Sequence, residues 1–356
     1  MTAPGVRRER PGTNVGQPWG RPLRGTLDEH LITSAVLAGN PLGDPAVRPL
    51  WVLTPPHVAP DQPTPVVYQI QGFTGHIDMW RYRMALRESA MERFDAALAT
   101  EDHPPVRLAF VDCFTSLGGS QFVDSPAVGD YHTYLCDEVV AFVDEAYPTL
   151  ADPAHRGIAG KSSGGYGAMI TPMLRPDVFG GFASHAGDAL FEACFAGDFR
   201  VAVRALREQY GGSYDAFWDD WRRRPAGSRP HDDVLHMTWA MAACWSADPD
   251  GTVHLPFDID TGRIRDDVWQ RWLAWDPVRM VPRHADALRS QRVIWLDAGT
   301  RDEYWLDLGA TAVRDAMALV DVEPTHFELF DDTHGGIEYR YPMAVRHLAA
   351  HLQPQA

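Results

Sequence analysis

A serine becomes a nucleophile at neutral pH when a histidine takes its proton and a carboxylate orients that histidine. The sequence holds one serine where such a group would be presented. Gly160-Lys161-Ser162-Ser163-Gly164 reads Gly-x-Ser-x-Gly. A sharp turn of this kind strains the serine backbone, and the residues two positions away on either side must lack a Cβ. Gly160 and Gly164 meet that demand around Ser162. Ser163 does not, because Lys161 lies two residues before it. Gly157-Ile158-Ala159 reads as the end of a short buried strand, and Ala168 to Leu174 as a helix stopped near Pro176. Strand, Gly-x-Ser-x-Gly and helix together form a nucleophile elbow.

The partners follow in the chain order serine, acid, histidine. His334, in Asp331-Asp332-Thr333-His334-Gly335-Gly336, falls in the loop after the last strand and is the expected base. His326 lies before the end of that strand and is assigned to packing. The preceding strand runs into Asp297-Ala298-Gly299-Thr300-Arg301-Asp302-Glu303. Asp302, a few residues into the loop, is the expected acid. Asp297 is read as a structural residue at the strand end, Glu303 is the neighbour to exclude, and Asp188 is a less favoured alternative. An acyl-transfer intermediate also needs two backbone N–H donors for its oxyanion. Ser163, opening the helix after the elbow, is one. Phe73, in Gln71-Gly72-Phe73-Thr74 after the third strand, is the other, with Gly72 allowing close backbone approach; an ordinary strand-ending turn explains that segment equally well.

These positions require strands that end on a common edge. The sequence reads β-rich from Thr26 to Leu37 and from Arg48 to Thr54, with a turn at Asn40-Pro41-Leu42-Gly43-Asp44-Pro45. Short apolar runs at Pro65–Ile70, Val106–Val111, Phe179–Ser184, Val293–Leu296 and His326–Phe330 alternate with helical periodicity at Met79–Ala99, Tyr131–Tyr147, Leu308–Val320 and Tyr341–Leu352. That alternation predicts an α/β fold with a mostly parallel central sheet flanked by helices. Loops at the carboxyl ends of the strands then carry the chemistry. Between Asp188 and Pro282 the strands stop. Trp218, Trp221, Trp239, Trp245, Trp269, Trp272 and Trp275 fall on helix-like pieces there. This stretch, residues 188–282, is expected to be a mainly helical cap inserted after the sixth strand. Most of its tryptophans are expected to bury the cap against the body, and a minority to line a substrate pocket.

Composition narrows the function. The chain has 356 residues, 45% hydrophobic, with a formal net charge of -16. This acidity argues against nucleic acid or an anionic membrane as partner, and no apolar run reaches membrane-spanning length. Arg7-Arg8 lacks a following apolar segment, so residues 1–25 are read as a flexible tail, residues 26–356 as one domain with its cap, and the location as cytoplasmic. Cys113, Cys136, Cys194 and Cys244 show no paired spacing and are expected to be free thiols. His76 and Asp78 lack further ligands and read as a loop and a helix cap; no metal or cofactor is expected. Lys161 is the only lysine, read as a consequence of base composition.

The segment from Ala159 to Ala168, followed by Arg175-Pro176-Asp177-Val178-Phe179, resembles the "putative esterase" branch of the α/β-hydrolases. That branch includes esterase D, enterochelin esterase-like proteins and the antigen 85 mycolyltransferases. Asp124-Ser125-Pro126 to Tyr131 resembles the family's region before the elbow. Gly299 to Glu303 and Thr333-His334-Gly335 resemble its acid and base loops. The resemblance runs from about Thr26 to Leu352 and is weakest in the cap. It implies an α/β-hydrolase in which Ser162, Asp302 and His334 carry the family roles; Lys161 and Ser163 replace the His and Met often found beside the nucleophile. The expected activity is serine ester hydrolysis of a small-molecule ester through an acyl-enzyme. Alternatives are acyl transfer to an alcohol and a non-catalytic binding protein. A homo-oligomer is compatible with the sequence.

Overall fold

The computed structural model describes residues 22–354. Eight strands form one sheet: β1 (Thr26–Thr33), β2 (Val47–Thr54), β3 (Val66–Ile70), β4 (Arg107–Val111), β5 (Arg156–Ser162), β6 (Gly181–Gly187), β7 (Val293–Gly299) and β8 (His326–Phe330). Their order is β1-β2-β4-β3-β5-β6-β7-β8. Only the pairs made by β2 are antiparallel; β4, β3 and β5 to β8 run parallel. β3, β4, β6 and β7 are buried along their whole length, as a parallel sheet covered on both faces requires. Their Val, Ile, Phe and Ala side chains feed two apolar cores, one on each side of the sheet.

Several elements differ from the periodicity. The single helix expected over Met79–Ala99 is two: a 3-10 turn at Ile77–Arg81 and a helix at Ala90–Leu98. The second starts late because Ser89 and Glu92 form a reciprocal capping box, which satisfies the first N–H groups there. Trp80 is buried on Phe94, Phe110 and Tyr341, which fixes the short turn separately. β7 continues through Asp297 to Gly299, because Asp297 is paid for by three buried donors: Trp295 Nε1 at 2.8 Å, Arg340 Nε at 2.9 Å and the His185 ring at 2.6 Å. Burial works against this carboxylate, but His185 and Arg340 hold it below its ordinary range. His76 caps the Ile77–Arg81 turn, its Nδ1 accepting from Asp78 N at 3.2 Å.

Between β6 and β7 the chain folds mainly into helices. The longest are Ala196–Tyr210, Tyr214–Trp221, Asp232–Trp245 and Asp266–Leu273. Trp218, Trp245, Trp269 and Trp272 are buried there, packed ring to ring, while Trp239 and Trp275 sit half-buried against the same core. Residues 1–21 of the expected tail lie outside the described residues. Its last two, Arg24 and Gly25, donate their N–H groups to the Asp95 carboxylate at 2.9 and 2.7 Å. Among the described residues no helix is long and apolar enough to cross a membrane.

Candidate active site

Ser162 ends β5 and its backbone stands at φ 60°, ψ -128°, a conformation that costs a non-glycine residue about 1–3 kcal/mol. The neighbouring glycines make the turn possible. A Cβ on Gly160 would meet the Gly164 backbone at 2.5 Å, and one on Gly164 would meet Gln71 O and Ile70 O at 2.7 Å. The helix Ser163–Leu174 starts at once, so the Ser163 N–H belongs to a helix end whose first N–H groups have no partner within the helix. The loop after β3 passes against the same turn. A Cβ on Gly72 would lie 3.1 Å from Lys161 O and 3.4 Å from Ser162 Cβ. In that loop the Phe73 N–H has no acceptor among the described residues, while Thr74 N is held by Gly118 O at 2.7 Å.

The loops after β7 and β8 are zipped together. Thr300 N donates to Phe330 O at 2.8 Å and Arg301 N to Asp332 O at 2.9 Å. Gly299 permits this, since a Cβ there would meet Asp332 O at 2.5 Å. The zipper brings Asp302 and His334 into contact: Asp302 Oδ2 lies 2.7 Å from His334 Nδ1, and the Asp302 side chain is fully buried. The other Asp302 oxygen accepts from Tyr304 N at 2.9 Å. Glu303 is the neighbour but has a separate task, accepting from the His334 backbone N–H at 2.8 Å. Lys161 holds the other side of the same residue, its Nζ donating to His334 O at 3.1 Å and to Glu338 Oε1 at 3.2 Å. His334 Nδ1 is thus engaged, while its Nε2 has no hydrogen-bond partner among the described residues.

Ser162, Ser163, Phe73 and His334 line one cavity of about 720 Å³. The helices between β6 and β7 supply its other wall, through Phe195, Trp221, His236 and Met241 among others. Of the seven tryptophans singled out in that stretch, Trp221 is the one that lines it. Ser162 Oγ makes no hydrogen bond among the described residues; nucleophile–base contacts often close only when substrate is bound.

Asp188 ends up beside the elbow rather than beside His334's ring. Ser163 Oγ donates to its Oδ2 at 3.0 Å, and Gln121 Nε2 to the same oxygen at 3.3 Å. Burial pushes the Asp188 carboxyl up to about 6, against the opposing hydrogen bond from Ser163 and the charge of His334. The sequence offered no sign of the Gln121 and Ser163 contacts. The role of Lys161 left one visible trace: the chain's single lysine stands directly before Ser162.

The α/β-hydrolase fold is shared with solved structures at low identity. A ferulic acid esterase superposes with a TM-score of 0.56 at 15% identity, over 93% of this chain and 100% of its own. The S-formylglutathione hydrolase of Agrobacterium tumefaciens does so at 0.54 and 14%, over 94% and 98%. A fluorophosphonate-binding serine hydrolase of Staphylococcus aureus gives 0.55 and 13%, over 93% and 99%. No curated protein matches the sequence. Residues 47–347 match the family described as "Putative esterase". With most of the sequence inside that match, from β2 to the last helix, the chain belongs to this esterase family and is a carboxylic-ester hydrolase of the α/β-hydrolase fold.

Proposed function

We propose that this hydrolase works through an acyl-enzyme on Ser162, with His334 as base and Asp302 as the acid that orients it. The 2.7 Å contact between Asp302 and His334 Nδ1, in a cavity shared with Ser162, carries the reading. Ser162 Oγ attacks the ester carbonyl carbon as its proton passes to His334 Nε2. The carbonyl oxygen becomes an oxyanion, which the N–H groups of Phe73 and Ser163 receive. The carbon–oxygen bond to the alcohol breaks, and His334 gives its proton to that leaving oxygen. Water then enters, loses a proton to His334 and attacks the acyl carbon, releasing the acid and restoring Ser162.

The partner in this reading is a small-molecule ester, and residues 188–282 act as the cap that shapes its pocket. A cytoplasmic setting belongs to the same reading, supported by four buried free thiols. The test is direct. Ser162→Ala should lose labelling by a fluorophosphonate and nearly all activity on p-nitrophenyl acetate. Asp302→Asn should lower kcat by about 10⁴ if it orients the base as in known triads. A labelled Ser162→Ala protein, or a dead Ser163→Ala protein beside an active Ser162→Ala one, would remove Ser162 from the mechanism. Added alcohols that divert the product from acid to a new ester would change the reading to acyl transfer.

A further inference from the structure

The cavity around Ser162 is lined by five carboxylates, Asp188, Asp198, Asp233, Glu303 and Glu338, against one amine, Lys161. Three of the five are already engaged, Glu303 by the His334 backbone N–H at 2.8 Å. Glu338 takes Lys161 and Arg87, and Asp188 lies buried behind Ser163. Asp198, Asp233 and Glu303 form no ion pair among the described residues; burial and then the Asp233 charge raise the Asp198 carboxyl above its ordinary range, with Arg200 opposing. These three carboxylates sit at a defined place in the reaction. Tyr304 packs edge-on against the His334 ring at 4.9 Å. Its phenol is pushed up by burial and then by the charges of Glu303, Asp233, Asp302 and Asp198. His334 must hand its proton to the leaving alcohol, and Glu303, which holds the His334 N–H at 2.8 Å, shares the cavity wall with Asp198 and Asp233, so we place these carboxylates toward the alcohol half of the ester.

A second feature points to a ligand independently. His236, on the helix Asp232–Trp245, is only 9% exposed and lines the cavity, yet it makes no hydrogen bond among the described residues. Its ring lies flat on Trp221, with centroids 5.1 Å apart and an 11° angle, and rests against Phe73 of the oxyanion loop at 5.8 Å. Burial lowers its proton affinity, with Asp232 opposing, so the imidazole is neutral and keeps a lone pair to offer. Its ring nitrogens are unpartnered but not sealed off, so they stay reachable from the cavity and a substrate N–H would give them a partner. The exposed ring of Trp305 and the half-buried ring of Trp221 add π faces to the same wall. A metal ion does not suit the arrangement: among the described residues no three His, Cys, Asp or Glu side chains converge to hold one.

We propose that the ester this cavity selects carries a protonated amine on its alcohol part, held by Asp198, Asp233 and Glu303 and hydrogen-bonded to His236. The proposal rests on the acyl-enzyme reading, because that reading fixes which half of the ester lies beside His334. The protein's net charge of -16 adds a long-range field of the same sign.

Three acetate esters of matched shape test it: dimethylaminoethyl acetate, a cation at neutral pH; isoamyl acetate, its uncharged isostere; and β-acetoxypropionate, an anion. Release of acetic acid by the full-length protein is followed in a pH-stat. The expected kcat/KM order is cation, neutral, anion, with the cation ahead of its isostere by at least about tenfold at low salt. That ratio should shrink toward one at about 1 M salt, where the Debye length falls to about 3 Å. In the Asp198→Asn/Asp233→Asn double variant the cation-to-neutral ratio should collapse to about two or less, and a ratio cancels any general loss of active protein. His236→Phe should lower the dimethylammonium ester but not its trimethylammonium analogue, which has no N–H to give. A wild-type cation-to-neutral ratio of about one overturns the proposal without touching the acyl-enzyme. So does a ratio that persists in the double variant. If no ester is cleaved and Ser162 takes no fluorophosphonate, the acyl-enzyme reading falls and this one falls with it.

Discussion

Lys161→Met isolates a single charge beside Ser162, the proposed nucleophile. Methionine keeps a long, flexible apolar side chain and removes only the ammonium. Two hydrogen bonds go with it, to His334 O at 3.1 Å and to Glu338 Oε1 at 3.2 Å. The Lys161 side chain is 15% exposed, so screening by water is modest, while Glu338 at 25% keeps Arg87 as a partner. A hydrogen bond to a charged group contributes about 1.5–3 kcal/mol, and the surviving Arg87 contact brings the expected stability loss to about 1–2 kcal/mol. The effect on rate is separate. His334 would still be fixed by its N–H on Glu303 and its ring on Asp302, so the loop stays folded but shifts by less than an ångström. Misplacement by 1 Å can cost about a hundredfold, which sets the expected fall in kcat near tenfold with KM little changed. Steady-state kinetics on p-nitrophenyl acetate, with a thermal melt, read both quantities. Lys161→Arg should recover most of the rate, because its guanidinium can reach the same acceptors. A folded Lys161→Met protein with kcat within about twofold of wild type would refute the clamp.

Two further outcomes follow from the same region. Gly164→Ala places a Cβ 2.7 Å from two backbone oxygens of the β3 end, Ile70 O and Gln71 O, so it should yield little folded protein and no fluorophosphonate labelling; normal expression with a wild-type melting curve would contradict the steric argument. Asp188 has a folded-state pKa of about 6 against an ordinary 3.8, so the folded protein holds this proton more tightly than the unfolded chain. Its contribution is present below about pH 4 and is lost as pH rises through about 6, a swing of about 3 kcal/mol at 1.36 kcal/mol per unit. Asp188→Asn should therefore gain stability relative to wild type between about pH 4 and pH 8 in denaturant melts, and parallel pH profiles for the two proteins would show that Asp188 is not the titrating group.

The parts of the site that the sequence made legible obey rules local to a few residues or set by topology. The elbow follows from sterics, since two glycines at fixed spacing around Ser162 mark the only serine of the pair that can turn. Asp302 and His334 follow from the rule that loops at carboxyl strand ends carry chemistry, and their loops do meet. Contacts that depend on the folded distance between remote residues were invisible. Lys161 and His334 are 173 residues apart, Gln121 and Asp188 are 67 apart, and His236 reaches Phe73 from another layer altogether. The break in the expected Met79–Ala99 helix had a signal that periodicity overrode: Ser89 followed three residues later by Glu92 is a helix start. Asp297 was read as a structural residue at the strand end, and only the fold shows that it lies inside β7 with Trp295, His185 and Arg340 converging on it.

The supports of His334 explain how the base proposed above can sit on an exposed loop and still be held in one place. Its ring is held from β7's loop by Asp302, its N–H by Glu303, and its carbonyl from the elbow itself by Lys161. Each contact touches a different face of the residue, so none alone defines its place and all three together leave little room to move. The Lys161 contact also ties His334 to the same turn that strains Ser162, so the proposed nucleophile and base are referenced to one rigid element. Loops usually surrender precision to mobility. Here the loop after β8 is joined to the loop after β7 by two backbone hydrogen bonds at 2.8 and 2.9 Å, and through Lys161 to the end of β5. Under the proposed mechanism substrate choice can reside elsewhere, in the helices between β6 and β7, whose Trp221, Asp198 and Asp233 line the cavity while forming no hydrogen bond or ion pair with Ser162, Asp302 or His334.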